Sequence, residues 1–275
     1  MNRIRPYLPL VGFVLPTVLV GYGVVIPRSC IAGINALTIG FGTTILGAIV
    51  AYVAGQRAVL PKVCKVPPLR VRVARAINRQ AAAPTGWFGR FLGLVWRHEH
   101  GRLNAEVVER LVVAPGLRVL EIGSGPGHAL RSASRRAPGG HVLGLDVSAL
   151  MVDLARRRNR RAIARGEVDV RVGDAQAVEL GTASLDRIFS VHSLYFVRDL
   201  DGLLVKLGRA LKPGGRLLLA FRPEADDIPA RFRESTYRFP NAEEVEQALV
   251  RAGLRVQVSR SAAAPAILLV EAIAP

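Results

Sequence analysis

Gly123, Gly125 and Gly127 stand at alternate positions at the end of a short apolar run, V-L-E-I-G-S-G-P-G over residues 119–127. A buried strand ending in such glycines can turn sharply, because without a Cβ the backbone comes close to a ligand before the next helix starts. Roughly 20 residues on, the spacing at which a carboxylate accepts hydrogen bonds from ribose hydroxyls, H-V-L-G-L-D (141–146) closes on Asp146. V-D-V-R-V-G-D (168–174) ends on a second acid, Asp174, and S-L-D-R-I-F-S-V-H (184–192) on His192. These residues have the chemistry of a nucleoside-binding site with an imidazole, titrating near neutral pH, as a candidate general base. A nicotinamide or flavin loop would want glycine at position 128, where His128 stands.

The elements that position these residues alternate. Strand patterns at 119–122, 141–146, 168–174 and 184–192, and a Pro-Gly-Gly turn feeding a fifth strand over 211–221, are separated by helical patterns at 128–137, 148–165 and 199–211, and a further helix is expected at 241–253. Alternation of this kind predicts a doubly wound parallel sheet, an α/β class. Two further apolar runs, 254–259 and 266–273, are joined by a short Ser/Ala/Pro link that permits a terminal hairpin. Ligands of open α/β sheets sit at the carboxyl ends of strands, where His192 ends the fourth.

The glycine loop, the strand-end acids and the Pro-Gly-Gly turn in L-K-P-G-G-R-L-L-L-A-F (211–221) resemble the class I S-adenosylmethionine (SAM) dependent methyltransferases. Within them the chain is similar to the methyltransferase type 11 group, which includes ubiquinone and menaquinone methyltransferases, through H-S-L-Y-F-V-R-D-L (192–200) and R-A-L-K-P-G-G (209–215). The resemblance covers roughly 160 residues, a single-domain length. It implies a doubly wound, seven-stranded Rossmann-like sheet with a C-terminal antiparallel strand, with SAM as cofactor. Gly123, Ser124, Gly125 and Gly127 would lie under the methionine moiety, with Glu121 holding its amino group directly or through water. Asp146, beside Val147, would take the ribose, Met151 would pack on adenine, and Asp174 with Ala175 would read the adenine edge. His192 is the first candidate for proton removal, or alternatively only lines the cofactor pocket. Tyr195 follows, as hydrogen-bond donor or substrate wall, and His98 and His100 come third. At Lys206 these proteins usually carry glutamate, and the position reads as a surface pairing site.

The first 56 residues are of another kind. Residues 6–27 and 29–56 carry no charge, two runs of about 22 and 28 residues against the ~20 needed to cross a bilayer. They predict a transmembrane hairpin, with a signal peptide and a buried soluble helical pair as alternatives. Ala32, Ala36, Gly40, Thr44 and Ala48 recur every four residues, the small-residue spacing that lets helices pack closely in lipid. Arg3 and Arg5 precede the first run, Arg28 lies between the two, and Arg57, Lys62, Lys65, Arg70, Arg72, Arg75 and Arg79 follow, so both ends and the catalytic domain are expected in the cytoplasm. Cys30 and Cys64 would then lie on opposite sides, with ~30 Å of hydrocarbon against a ~7 Å limit for a disulfide.

Residues 57–112 are expected to form a basic linker and lid, ahead of a methyltransferase domain over 113–275. Trp87, Phe88, Phe91, Leu92, Val95 and Trp96 recur at helical spacing. They suit a lid over the cofactor, a helix packed on the sheet, or an interfacial helix. The formal charge is +17, from 38 Lys plus Arg against 21 Asp plus Glu. Base composition of the genome accounts for arginine abundance as well as function does. Among functions, a basic segment next to a membrane hairpin suits anionic headgroups. No nucleic-acid recognition motif accompanies the charge, and Ser190, Val191, His192 and Ser193 stand where base-amino methyltransferases carry Asp/Asn-Pro-Pro-aromatic. The acceptor expected from a bilayer location is a lipid-soluble small molecule, such as a quinone precursor or phospholipid headgroup. A soluble acceptor and a non-catalytic SAM-binding membrane protein are the alternatives.

Overall fold

The computed structural model describes residues 78–224 and 237–275. The hairpin and its orientation, the linker up to residue 77, Cys30 and Cys64 lie outside the described residues, as do the side chains of Leu92, Val95, Trp96 and His98. Among the described residues no helix is long and apolar enough to cross a membrane.

Two helices come first, α1 (Gly86–Glu99) and α2 (Gly101–Arg110). Then follow β1 (Arg118–Ile122), α3 (His128–Arg136), β2 (His141–Asp146), α4 (Ala149–Ala164), β3 (Val168–Val172) and β4 (Leu185–Val191). A 3-10 turn (Leu194–Phe196) leads to α5 (Leu200–Ala210) and β5 (Leu211–Phe221), and α6 (Ala242–Arg251), β6 (Arg255–Arg260) and β7 (Leu268–Ile273) complete the chain. The seven strands lie in the order β3-β2-β1-β4-β5-β7-β6. All neighbours from β3 to β5 are parallel, and β7 runs antiparallel to both β5 and β6. The order reverses between β1 and β4, so the crevice for a ligand opens between the loops that follow these two strands.

Period-two alternation along β1 explains why both faces are covered. Leu120 and Ile122 pack in a core with α5 and α6 residues such as Leu204, Leu207 and Leu249. Val119 packs on the opposite face with Leu103 and Val107 of α2, Leu130 of α3 and Val152 of α4. Residues 101–111, expected to belong to the lid segment, therefore help cover the sheet. The Arg187 guanidinium ties them down by donating from Nε to the Leu111 carbonyl at 2.8 Å.

Two strand boundaries differ from expectation. β3 stops at Val172, because Asp174 opens a turn whose carbonyl accepts from the amides of Ala177 (2.9 Å) and Val178 (3.0 Å). The Pro-Gly-Gly segment lies within β5 as an irregularity: Leu185 pairs with Leu211, but Arg187 already pairs with Arg216. Proline has no amide proton to give the ladder, which makes this the place where the register shifts.

Candidate functional site

The glycine loop is held by its own amides. Gly123 and Ser124 both donate to the Leu145 carbonyl (2.8 and 3.0 Å), and Gly125 donates to Asp146 Oδ2 at 2.8 Å. These amides fix the loop against β2 instead of facing a ligand, so a ligand meets the Cα surface of the loop. Gly123 has φ +70, and a Cβ there would lie 2.4 Å from that of Ser193. Gly127 has φ +74, and its Cβ would lie 2.7 Å from Asn159 Nδ2. Glycine is thus required twice over at both positions, by conformation and by close approach. Ser193 donates to the Ile122 carbonyl at 3.1 Å and is also hydrogen-bonded to the buried Ser190, which locks the end of β4 to the loop after β1.

Glu121 is on the α3 face of β1, buried, and accepts a bond from the Leu130 amide in the first turn of α3. Its Oε2 is buried without a hydrogen-bond partner, and so is Oγ of Ser124 in the loop that follows β1. Burial, and then the negative charge of Asp146, push the Glu121 carboxyl well above the usual range. Asp146 has both oxygens engaged, Oδ1 by the Ser148 amide (2.8 Å) and Oδ2 by Gly125. Burial raises its carboxyl despite those two bonds. Two acids held close together, neither in an ion pair among the described residues, with an orphaned acceptor and an orphaned hydroxyl, suit the ammonium and carboxylate of an amino acid moiety. SAM carries such a moiety, so the residues present fit it.

Around the nucleoside end, Val147 is half exposed beside Asp146, and Met151 is buried at the start of α4. Met151 lies beneath α1: a Cβ on Gly93 would be 3.5 Å from its Cε. Ser148 donates to the Pro84 carbonyl at 2.6 Å and caps α4 by accepting from the Met151 amide at 3.2 Å, so one side chain joins the end of β2 to the approach of α1. Phe88 stacks on Phe91 (6.4 Å between ring centroids), whereas Trp87 is half exposed. Asp174 is exposed, with Oδ1 accepting from the Gln176 amide at 2.9 Å, an Asx turn that occupies the expected adenine reader. Ala175 is buried.

Three further side chains, which no sequence motif marks, contribute. Lys206 is no surface pairing site: half-buried, its Nζ donates to the carbonyls of Ala175 (3.0 Å) and Gln176 (2.9 Å), and Gln176 Oε1 accepts from the Asp199 amide at 2.8 Å. The loop after β3 is thereby strapped to α5. From α4, Arg158 Nε donates to the Pro126 carbonyl (2.8 Å) and Asn159 Nδ2 to that of Gly127 (3.1 Å), bracing the glycine loop from behind. The departure from glutamate at 206 was the only sequence signal, since the α4 residues read as one more basic run.

At the end of β4, His192 adopts φ 58, a left-handed conformation that histidine tolerates better than most residues. Its ring lies tilted against that of His100, with centroids 4.5 Å apart, and its Nδ1 lies 2.8 Å from the Tyr195 hydroxyl, which also accepts the Arg222 amide at 2.7 Å. Burial first, then the charges of His100 and Arg222, lower His192 to about 3. Burial lowers His100 to about 4 and raises Tyr195. Tyr195 is buried among Phe196, Tyr237 and Phe239, with ring centroids at 6.1, 5.5 and 5.2 Å.

A protein-family profile described as a methyltransferase domain matches residues 120–219, from β1 into β5. Methyltransferase GfsG of Streptomyces halstedii is 30% identical over 53% of this chain and 53% of its own length. The uncharacterized methyltransferase YdaC of Bacillus subtilis is 30% identical over 50% of this chain and 75% of its own. Among solved structures, phosphoethanolamine N-methyltransferase 2 of Haemonchus contortus, with phosphomonomethylethanolamine and S-adenosylhomocysteine, superposes with a TM-score of 0.52. It is 28% identical over 57% of this chain and 38% of its own. The chain thus spans about half the length of some relatives and three quarters of YdaC. The glycine loop, the paired acids at the ends of β1 and β2, the 3-2-1-4-5-7-6 sheet and the match to YdaC agree that the chain belongs to the class I SAM-dependent methyltransferases.

Proposed function

We propose that this protein transfers the methyl group of SAM to a small, lipid-soluble acceptor at the cytoplasmic face of a membrane. The observation that carries the cofactor part is the buried, partnerless Oε2 of Glu121 beside the glycine loop. Bound SAM supplies an electrophilic methyl on a sulfonium. Glu121 and Ser124 hold its amino acid end, Gly123, Gly125 and Gly127 give it a surface without side chains, and Asp146 takes the ribose hydroxyls while keeping Gly125 in place. Val147 and Met151 flank the adenine, with the Asp174–Ala175 loop at its edge. His192 and Tyr195 face the acceptor side, where the chain aligns a nucleophile with the methyl group, a proximity effect worth several kcal/mol.

Membrane attachment is supported by the two uncharged runs and the basic segment after them. A hairpin that fixes the domain at the bilayer favours an acceptor that partitions there, the quinone-type and lipid acceptors included.

Calorimetry with full-length protein tests the cofactor assignment. SAM and S-adenosylhomocysteine should bind, and Asp146→Ala should weaken both, by about tenfold or more if a charge-assisted hydrogen bond is lost. Equal affinity in the variant would refute the assignment. Removing residues 1–56 should leave SAM binding intact and abolish membrane association, and a truncated protein that still sediments with vesicles argues against the hairpin.

A further inference from the structure

Charge is unevenly divided between the helices on the two faces of the sheet. On one face α3 and α4 carry eight arginines and a single acid, Asp153. The remaining helix of that face, α2, is balanced, with two arginines and two glutamates. On the other face α5 and α6 carry three basic residues and four acids. A genome rich in arginine codons would load both faces alike, so base composition does not account for the division.

The outer sides of α3 and α4 form one surface. The two helices pack side by side, and Arg158 and Asn159 of α4 donate to the carbonyls of Pro126 (2.8 Å) and Gly127 (3.1 Å) at the start of α3. Ala129, Leu130 and Ala133 of α3 and Met151, Val152 and Ala155 of α4 form the buried stripes. Arg131, Arg135, Arg160 and Arg161 fall on the opposite sides and are exposed. Arg157 pairs with Asp153, and none of the other four is in an ion pair among the described residues. Residues 1–77 contain no acid at all, and Asp226, Asp227 and Glu234 stand in sequence between β5 and α6. Arg131 and Arg135, like Arg156 and Arg160, are four residues apart, where like charges repel along a helix. An anionic surface laid against them offsets that repulsion.

We infer that the α3–α4 face docks on the anionic headgroups of a phospholipid bilayer, laying the sheet over the leaflet with the α5–α6 face turned to water. A lipid surface asks only for charge spread over a face. Neither helix contains Phe, Tyr or Trp, so the face lacks the stacking platforms of single-strand nucleic-acid sites. The uncharged runs over 6–27 and 29–56, read as a membrane hairpin, would hold the domain beside such a surface, so that a weak contact suffices. Each arginine close to an anionic leaflet is worth about a factor of five, and the four unpaired ones together roughly several hundred at low salt.

This orientation rests on the membrane-attachment reading, which is checked separately. Phosphatidylcholine vesicles carry no net charge, so retention of full-length protein in them through an alkaline carbonate wash reports the hairpin alone. The protein is then reconstituted into phosphatidylcholine vesicles with and without phosphatidylglycerol and treated with phenylglyoxal, which modifies accessible guanidinium groups, and the sites are read by mass spectrometry. Arg131, Arg135, Arg160 and Arg161 should be modified about tenfold more slowly in the anionic vesicles, and the protection should vanish at about 1 M salt, where the Debye length is ~3 Å. Arg209, exposed on α5, should be modified alike in both. Changing the four arginines together to glutamine should leave S-adenosylhomocysteine affinity unchanged. It should also remove the gain in energy transfer from the two tryptophans to dansyl-labelled lipid that phosphatidylglycerol gives the parent. If the carbonate wash strips the protein, the hairpin reading fails, and the same footprint is taken on protein cosedimented with the anionic vesicles. Equal modification of the four arginines in both vesicles, equal protection of Arg209, or no cosedimentation would overturn the inference. So would protection by a short RNA duplex or polyglutamate where phosphatidylglycerol gives none.

Discussion

Replacing Glu121 by glutamine should make the ligand-free protein more stable and the cofactor bind more weakly. The carboxyl is buried, its charged form is opposed by burial and by Asp146, and Oε2 has no partner. Glutamine has nearly the same shape, keeps a carbonyl oxygen for the Leu130 amide, and brings neither a charge to desolvate nor repulsion of Asp146. The glutamine Nε2 takes the place of the unpaired Oε2, so the gain comes from removing the buried charge and its repulsion of Asp146, about 1–3 kcal/mol. At about 2–4 °C per kcal/mol for a domain of this size, Tm should rise by roughly 2–12 °C. Binding moves the other way, because the glutamine amide cannot neutralise the SAM ammonium. The loss of a charge-assisted bond, about 1.5–3 kcal/mol, corresponds to roughly 10- to 150-fold in Kd. Wild-type affinity should also rise with pH as the raised carboxyl loses its proton, and the variant should lack that dependence. Scanning calorimetry and titrations with SAM over a series of pH values measure both effects. A variant that is less stable and binds SAM as well as the parent would refute the reasoning.

Gly123→Ala combines a left-handed φ with a Cβ 2.4 Å from that of Ser193, so it should cost about 2 kcal/mol or more, read by urea denaturation. Gly123→Ala together with Ser193→Gly should recover part of that loss, since the collision goes and the φ strain stays. Lys206→Met removes both bonds to the loop after β3 and should weaken adenosine and SAM alike, by about 1–3 kcal/mol. It should leave homocysteine binding unchanged, and calorimetry with the three ligands separates these outcomes. His192 and His100, lowered to about 3 and about 4, stay neutral when folded while the unfolded chain takes up protons below about 6.5. Their contribution is therefore complete above about pH 6.5 and is lost as pH falls toward 4, at up to about 1.4 kcal/mol per pH unit for each ring. Glu121 and Asp146, both raised, act in the opposite sense, since their contribution is lost as pH rises. The difference between wild type and His192→Asn, whose new residue tolerates the left-handed φ, isolates one imidazole. Parallel stability curves for the two proteins between pH 4.5 and 7 (the span in which the unfolded ring titrates) would overturn this assignment.

Much of the architecture was legible from residue order alone. Alternation along Val119–Ile122 and His141–Asp146 marked strands covered on both faces, and helix-period runs between strands required crossovers, so a parallel sheet with its ligand at the strand ends followed. Gly123, Gly125, Gly127 and Asp146 were legible because the backbone conformation and the carboxylate they supply are properties of single residues. The antiparallel place of β7 came with the family resemblance and agrees with the pairing of Arg216 with Ile273. What surrounds the site was decided by tertiary contact. The Nδ1 of His192 is occupied only because Tyr195, three residues on, also meets the amide of Arg222 at the end of another strand. Lys206 read as an outward lysine until the 3-10 turn and α5 brought its Nζ to two carbonyls thirty residues away. Ser193 constrains Gly123 only because β4 lies beside β1. Periodicity and turn chemistry act over a few residues and leave their mark in the sequence. Protonation states, orphaned oxygens and straps depend on which distant groups share a volume, and packing alone determines that.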